Sequence, residues 1–263
     1  VLSILPQETA AADPGLLAAL RSRERLRDLR LEIAVGLKNP DLQGLADPYL
    51  AAGIEAMRGG RLTDAVSALS QAAGRNPESG SAHLLLGEAY RAAGLEAAAE
   101  IAYAEAVRRD PELAPAWNAL GQAFASRGEI DRAERAFERA LQIEPGLAAA
   151  SNNLGALRLR AGRSEEAERL LLRALDDDPD LAAAQANLGL LLRRRGDTAA
   201  AETRYRAALA LDPLNADARY NLAALLNETG RSGEAREELR RLLASDPTDP
   251  DATALLRRID GRS

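Results

Sequence analysis

His83 is the only histidine in this sequence, and there is no cysteine. An imidazole can act as general base for a serine nucleophile, but it then needs an orienting carboxylate and a nucleophile on a sharp turn, and no G-x-S-x-G segment is present. The missing thiols exclude disulfides, thiolate metal sites and thiol nucleophiles. Asp176, Asp177, Asp178 and Asp180 bracket Pro179 and could touch a hard cation, yet the spacing of a calcium loop is absent, and a solvated helix end is the favoured reading. Gly59-Gly60 lacks the lysine and the spacing of a phosphate loop. No residues are therefore assigned to catalysis, to a cofactor or to a metal, and the chain is read as a non-enzyme.

Two polar sets remain. Asn153, Asn187 and Asn221 recur at a fixed step, and each carries a donor and an acceptor able to grip an extended backbone. The alternative is that they hydrogen-bond a neighbouring helix. Arg160, Arg193 and Arg194, with Arg158 and Arg195 nearby, form the densest positive patch. Guanidinium forks pair well with carboxylates, so the patch would suit an acidic peptide or a C-terminal carboxylate. The plainer alternative, favoured on sequence, is that these arginines complement the negative ends of helices. The segment Asn227-Glu228-Thr229 fits a glycosylation acceptor.

The step of the asparagines belongs to a wider order. Pro77, Pro111, Pro145, Pro179, Pro213 and Pro247 lie 34 residues apart, as do Gly60, Gly94, Gly128, Gly162, Gly196 and Gly230, and Ala65, Ala99, Ala133, Ala167, Ala201 and Ala235. A fixed period of this length means stacked helical pairs. In the third unit the apolar spacing predicts helices over Ala114 to Arg127 and Ile130 to Ile143, carrying the stripes Trp117, Leu120, Gly121, Phe124 and Ala133, Phe137, Ala140, Leu141. Gly128 suits a left-handed C-cap between them, and the periodic proline stops the second helix. Gly87, Gly121, Gly155 and Gly189 are expected to lie opposite Ala99, Ala133, Ala167 and Ala201, so that two backbones approach closely. His83 falls where the third unit has Trp117, which makes it a packing residue.

The run from Ala116 to Pro145, AWNALGQAFASRGEIDRAERAFERALQIEP, resembles the tetratricopeptide repeat. The resemblance covers about Ala46 to Pro247. The first unit is weak at Tyr49, Gly53 and Ala56, the fourth has Ser151 and Arg158 at apolar positions, and the sixth has Ala223 for glycine and Leu242 for alanine. It implies an all-α, right-handed superhelical α-solenoid of helix-turn-helix repeats, with the first helix of each pair lining a concave groove. Carried over by position, the groove would present Asn118, Gln122, Asn152, Asn153, Arg160, Asn187, Arg193, Arg194, Tyr220 and Asn221. The expected organisation is an apolar, extended tail at 1–12, an N-terminal capping helix and linker at 13–45, six repeats at 46–247 and a C-terminal capping helix at 248–263. The capping helix would run from Pro14 to about Leu37, with the stripe Leu26, Leu29, Ile33, Leu37 and a solvated Arg-rich face.

Composition fits this reading. Aromatics make up 3% of the 263 residues, and the net charge is −6 from 34 basic and 40 acidic side chains, which argues against nucleic acid. Arginine supplies every basic residue but Lys38, a usage expected of a bacterial, GC-rich source. No apolar run approaches the ~20 residues of a membrane span, and no complete signal peptide is present. The chain starts at Val1, so cytoplasmic and periplasmic or extracellular locations both stay open, as does membership of a longer protein. The function expected is a non-catalytic protein–protein interaction scaffold holding a peptide or protein segment, acidic in the sharper version, without cofactors. Two alternatives stand beside it: self-assembly through residues 1–12 and the end repeats, and the repeat portion of a larger transferase or hydrolase.

Overall fold

The computed structural model describes residues 47–261, and the expectations for residues 1–12 and 13–45 lie outside them. The described residues form helices and turns, with no strand among them. Contacts divide the chain into two units, Val1–Pro145 and Gly146–Ser263. The described part of the first contains α1 (Pro48–Arg58), α2 (Leu62–Arg75), α3 (Gly80–Ala92), α4 (Glu96–Arg109), α5 (Ala114–Ser126) and α6 (Ile130–Ile143). The second contains α7 (Ala148–Arg160), α8 (Ser164–Asp177), α9 (Ala182–Arg194), α10 (Thr198–Leu211), α11 (Ala216–Glu228), α12 (Ser232–Ser245) and α13 (Pro250–Ile259). Each unit is an all-α helical-repeat stack. The odd-numbered helix of each pair, called A below, packs on the even-numbered helix B that follows it. Successive A helices also touch, as α3 touches α5 in the first unit and α9 touches α7 and α11 in the second.

Local chemistry sets the ends of these helices. Asp47, Ser79, Asn215 and Asp249 accept hydrogen bonds from backbone N–H groups two or three residues on, which caps A helices and α13. Every A helix then ends on the periodic glycine at positive φ, between 71° at Gly60 and 85° at Gly196. At Gly128 the amide donates to Ala125 O (3.0 Å) and the Glu129 amide to Phe124 O (2.9 Å), which is the paired closure of a Schellman end. At the other turn the Asp-Pro steps fold on their own carboxylate. Asp110, Asp178, Asp212 and Asp246 each accept from the amide two residues on, at 2.9–3.2 Å. Of the acidic cluster, Asp178 is thus engaged in a turn and Asp177 lies 3.9 Å from Arg173.

The proline carbonyls have their own partners. Trp117 Nε1 donates to Pro111 O at 2.9 Å, and His83 Nε2, one period earlier, donates to Pro77 O at 3.2 Å. Arg219 in the same column donates to Pro213 O. His83 is 5% exposed, and burial lowers its pKa. Its work is to hold a turn, and the packing role read from its position stands.

The glycines of helix A differ from expectation in one respect. A Cβ at Gly121 would lie 2.6 Å from Phe137, at Gly87 2.5 Å from Tyr103, at Gly189 2.8 Å from Tyr205 and at Gly155 3.0 Å from Leu171. Each glycine therefore accommodates the large residue one turn beyond the periodic alanine, rather than the alanine itself. Residues four apart share a helix face, so the buried alanine and the ring are successive members of one stripe. At the C-terminal end, α13 buries Ala252 and Leu255 against Leu239 and Leu242 and leaves Asp251, Arg257 and Arg258 exposed.

Candidate functional site

In the second unit, α7, α9 and α11 carry eight of the ten residues expected to line a groove: Asn152, Asn153, Arg160, Asn187, Arg193, Arg194, Tyr220 and Asn221. The asparagines touch across the A helices. Asn187 Nδ2 on α9 donates to Asn152 Oδ1 on α7 at 2.9 Å, and Asn152 Nδ2 donates to Asn153 Oδ1 at 3.3 Å. Asn152 is buried, whereas Asn153, Asn187 and Asn221 are half-buried. Asn221 Oδ1 accepts from Arg193 at 3.4 Å. Tyr220 is half-buried and packs on the cluster of Ala223, Leu239 and Leu242. Among the expected residues, Asn118 and Gln122 lie half-buried on α5 in the first unit.

Most of the positive patch is engaged inside the second unit. Arg193 forks onto Glu228 of α11, with Nε 3.0 Å from Oε2, and this pairing raises its pKa. Arg194 donates to the Leu159 carbonyl at 2.6 Å, in the last turn of α7, where a cation meets the negative end of the helix. Arg195 pairs with Glu168 at 2.8 Å and Arg158 with Glu166 at 3.2 Å. Arg160 is exposed. These partners lie 8 to 35 positions away in sequence, a separation at which a reading from residue types alone finds no pair. Glu228 is 54% exposed at its side chain, so its hold on Arg193 is solvent-screened and weak. The Asn227 amide accepts from Ser232 Oγ at 3.0 Å and Thr229 Oγ1 donates to Leu225 O at 3.0 Å, so the apparent glycosylation acceptor is folded into a helix end.

The first unit carries a buried cluster that residue types did not reveal. Tyr103 on α4 donates to Glu88 Oε1 on α3 at 2.8 Å, and Arg91 holds Oε2 at 2.9 Å. Burial pushes the Glu88 carboxyl up and the Tyr103 hydrogen bond pulls it down; burial also pushes the Tyr103 phenol up. The available signal was a column that needs only a large apolar residue, as Leu69, Phe137, Leu171 and Leu239 show, but has tyrosine at 103 and 205. No group of three metal-ligating side chains occurs among the described residues, and no helix among them is long and apolar enough to cross a membrane.

Profiles of the tetratricopeptide repeat match residues 50–114, 124–188 and 192–259. The chain belongs to the tetratricopeptide-repeat family. A comparison with curated proteins gave no match. Among solved structures, this tetratricopeptide-repeat chain is similar to one in the APC/C hetero-tetramer Cut9–Hcn1, with a TM-score of 0.76 and 22% identity over 93% of this chain and 48% of that one. It spans about half the length of that relative. It is also similar to pilF of Pseudomonas aeruginosa, at 0.65 and 18% over 81% of this chain and 96% of the other. A thermophilic tetratricopeptide-repeat protein of Thermus thermophilus, TTC0263, follows at 0.60 and 23% over 69% and 98%. At these identities the likeness is one of fold. Tetratricopeptide-repeat proteins are interaction scaffolds and are typically non-enzymatic, which agrees with the coarse function expected from the sequence.

Proposed function

We propose that the chain is a non-catalytic scaffold whose A helices bind an extended protein segment. The observation that carries this is the pair Asn187 and Asn221, half-buried at equivalent positions one period apart on touching helices. Asn187 spends its amide on Asn152 and Asn221 its carbonyl on Arg193. That leaves an acceptor on the first and a donor on the second. Adjacent helices stand about 10 Å apart, which matches three residues of an extended chain at ~3.3 Å each. A segment laid across α9 and α11 would give one N–H and, three residues on, one C=O.

Two such bonds at about 1 kcal/mol each correspond to roughly 10- to 30-fold in affinity. Peptides selected from a random 12-residue phage library on the wild-type chain would be measured by fluorescence polarisation against Asn187→Ala/Asn221→Ala. The reading expects a loss of about tenfold or more with the fold intact by circular dichroism. Selected peptides that bind the variant and the wild type equally would remove it.

A further inference from the structure

Every residue of α3 except Arg91 is buried. The described neighbours of α3 are those of any interior A helix: it touches α1, α2, α4 and α5, as α9 touches α7, α8, α10 and α11. Yet Ser81, Leu85, Glu88 and Ala92, which share one helix face, are only 2–9% exposed. Their equivalents on α9 are half-buried at Ala183, Asn187 and Leu190 and exposed at Arg194. Ala92 makes the sharpest contrast, because the residue at its position is exposed in every other repeat. On α1 the matching face is closed as well, with Ile54 at 8% and Met57 at 0%. Ala52 of α1 is exposed, although its position is a buried leucine in each later repeat. The cover therefore lies on the inner face of α1 and α3 and does not stack on α1 as a preceding repeat would.

We propose that the chain's own segment 14–37, which lies outside the described residues, closes the inner face of the first unit across α1 and α3. The structure holds one chain, and contacts place residues 1–46 in the same unit as α1 to α6. The segment carries the apolar stripe Leu26, Leu29, Ile33 and Leu37. The face it would meet is apolar too, built from Leu50, Ile54 and Met57 of α1 and Leu84, Leu85 and Ala92 of α3. Reach is sufficient. Residues 38–46 join the segment to α1 and span up to about 30 Å when extended, against about 10 Å between adjacent helices. A helix over 14–37 would be about 36 Å long, enough to cross both. The closure also explains Glu88. Its equivalents Gln122, Ala156 and Leu190 are half-buried, and an acid there costs little while water reaches it. With the face closed, Tyr103 and Arg91 supply the bonds that water no longer can. This goes beyond the groove reading above and does not depend on it. An incoming protein segment would meet the second unit, or would have to displace residues 14–37 from the first.

The test uses the full chain, which has no cysteine, so that one introduced thiol reports one place. Ala92→Cys and Ser126→Cys stand at equivalent positions of the first unit, one buried and one exposed. Ala92→Cys should react with N-ethylmaleimide about tenfold or more slowly than Ser126→Cys. Adding Leu29→Glu/Ile33→Glu should release the segment and raise its rate to that of Ser126→Cys. Equal rates without the glutamates, or slow reaction that the glutamates do not relieve, overturns the proposal. A second measurement needs no destabilising change. A thiol at Leu26, Leu29, Ile33 or Leu37 in turn is paired with Ala92→Cys or with Ala52→Cys, treated with a short bis-maleimide at micromolar protein, and scored by mass. At least one stripe position should bridge to Ala92→Cys within a single chain, and none to Ala52→Cys. Bridges to Ala52→Cys would make the segment a cap on α1, bridges only between chains would give the face to a second copy, and no bridge at all would remove the segment from the face. Each of these three results overturns the proposal.

Discussion

Alanine at Gly121 should destabilise the chain, while alanine at Gly74 should stabilise it. Both glycines sit inside helices, α5 and α2, where replacing glycine by alanine gains about 1 kcal/mol of helix propensity. The difference is space. At Gly74 nothing lies within 4 Å of the new Cβ. At Gly121 the Cβ meets Phe137 Cε1 at 2.6 Å and Cδ1 at 2.7 Å, against an ordinary contact of 3.4 Å or more. The ring must therefore retreat by about 0.8 Å, and it has nowhere to go: Phe137 is 1% exposed and Ala133 and Ala140 beside it on the stripe are at 0%. Overpacking of this kind costs about 1–3 kcal/mol, so the net for Gly121→Ala is a loss of about 1 kcal/mol, with Gly74→Ala about 2 kcal/mol above it. Gly155→Ala should fall between, because the nearest atom is Leu171 Cγ at 3.0 Å. The assay is urea unfolding read by circular dichroism and by the fluorescence of Trp117, the only tryptophan, which lies on the same helix as Gly121. A Gly121→Ala chain as stable as Gly74→Ala would show that the glycine column does not exist to admit the ring.

Three further outcomes follow from the hydrogen bonds and charges. Trp117→Phe keeps most of the packing but removes the hydrogen bond to the Pro111 carbonyl, and should cost about 1 kcal/mol in urea unfolding read by circular dichroism. Glu105 is held down to about 2, chiefly by Arg108 and then by Arg109, so its stabilisation is present above the ordinary carboxylate value and disappears as pH falls towards 2. Glu105→Gln should therefore melt below wild type at pH 7, by about 1 kcal/mol after solvent screening, and level with it near pH 2. Glu88 is shifted the other way, so its contribution is fullest below the ordinary carboxylate value and declines as pH rises through the raised one. The melting temperature of Glu88→Gln relative to wild type should rise between pH 5 and 8; a flat difference would mean that Tyr103 and Arg91 stabilise the charged form completely.

What the sequence made legible was whatever the period repeats. The left-handed turn at Gly128 and the Asp-Pro stop are local, and six copies in phase leave little room for another reading. The partner of Gly121 was placed one turn out, because composition says that a helix face is small but not which member of the opposite stripe fills the gap. The residues expected to line a groove were legible as helix positions and not as bonds. Arg194 finds a carbonyl and Arg193 a carboxylate 35 residues away, and only the stacking of whole helices determines such pairs. Glu88 was written in the sequence, but it acquires meaning only once Tyr103 is seen to reach across to α3.

The principal contacts within each unit join a helix to the next one or the next but one. For a chain emerging from a ribosome this matters: no helix waits for a distant partner, and each pair can close soon after its proline turn has left the exit. The unsatisfied surface at any moment is then a single helical face at the growing end. On that view α13 covers, with Ala252 and Leu255, the face that α12 leaves open as it emerges.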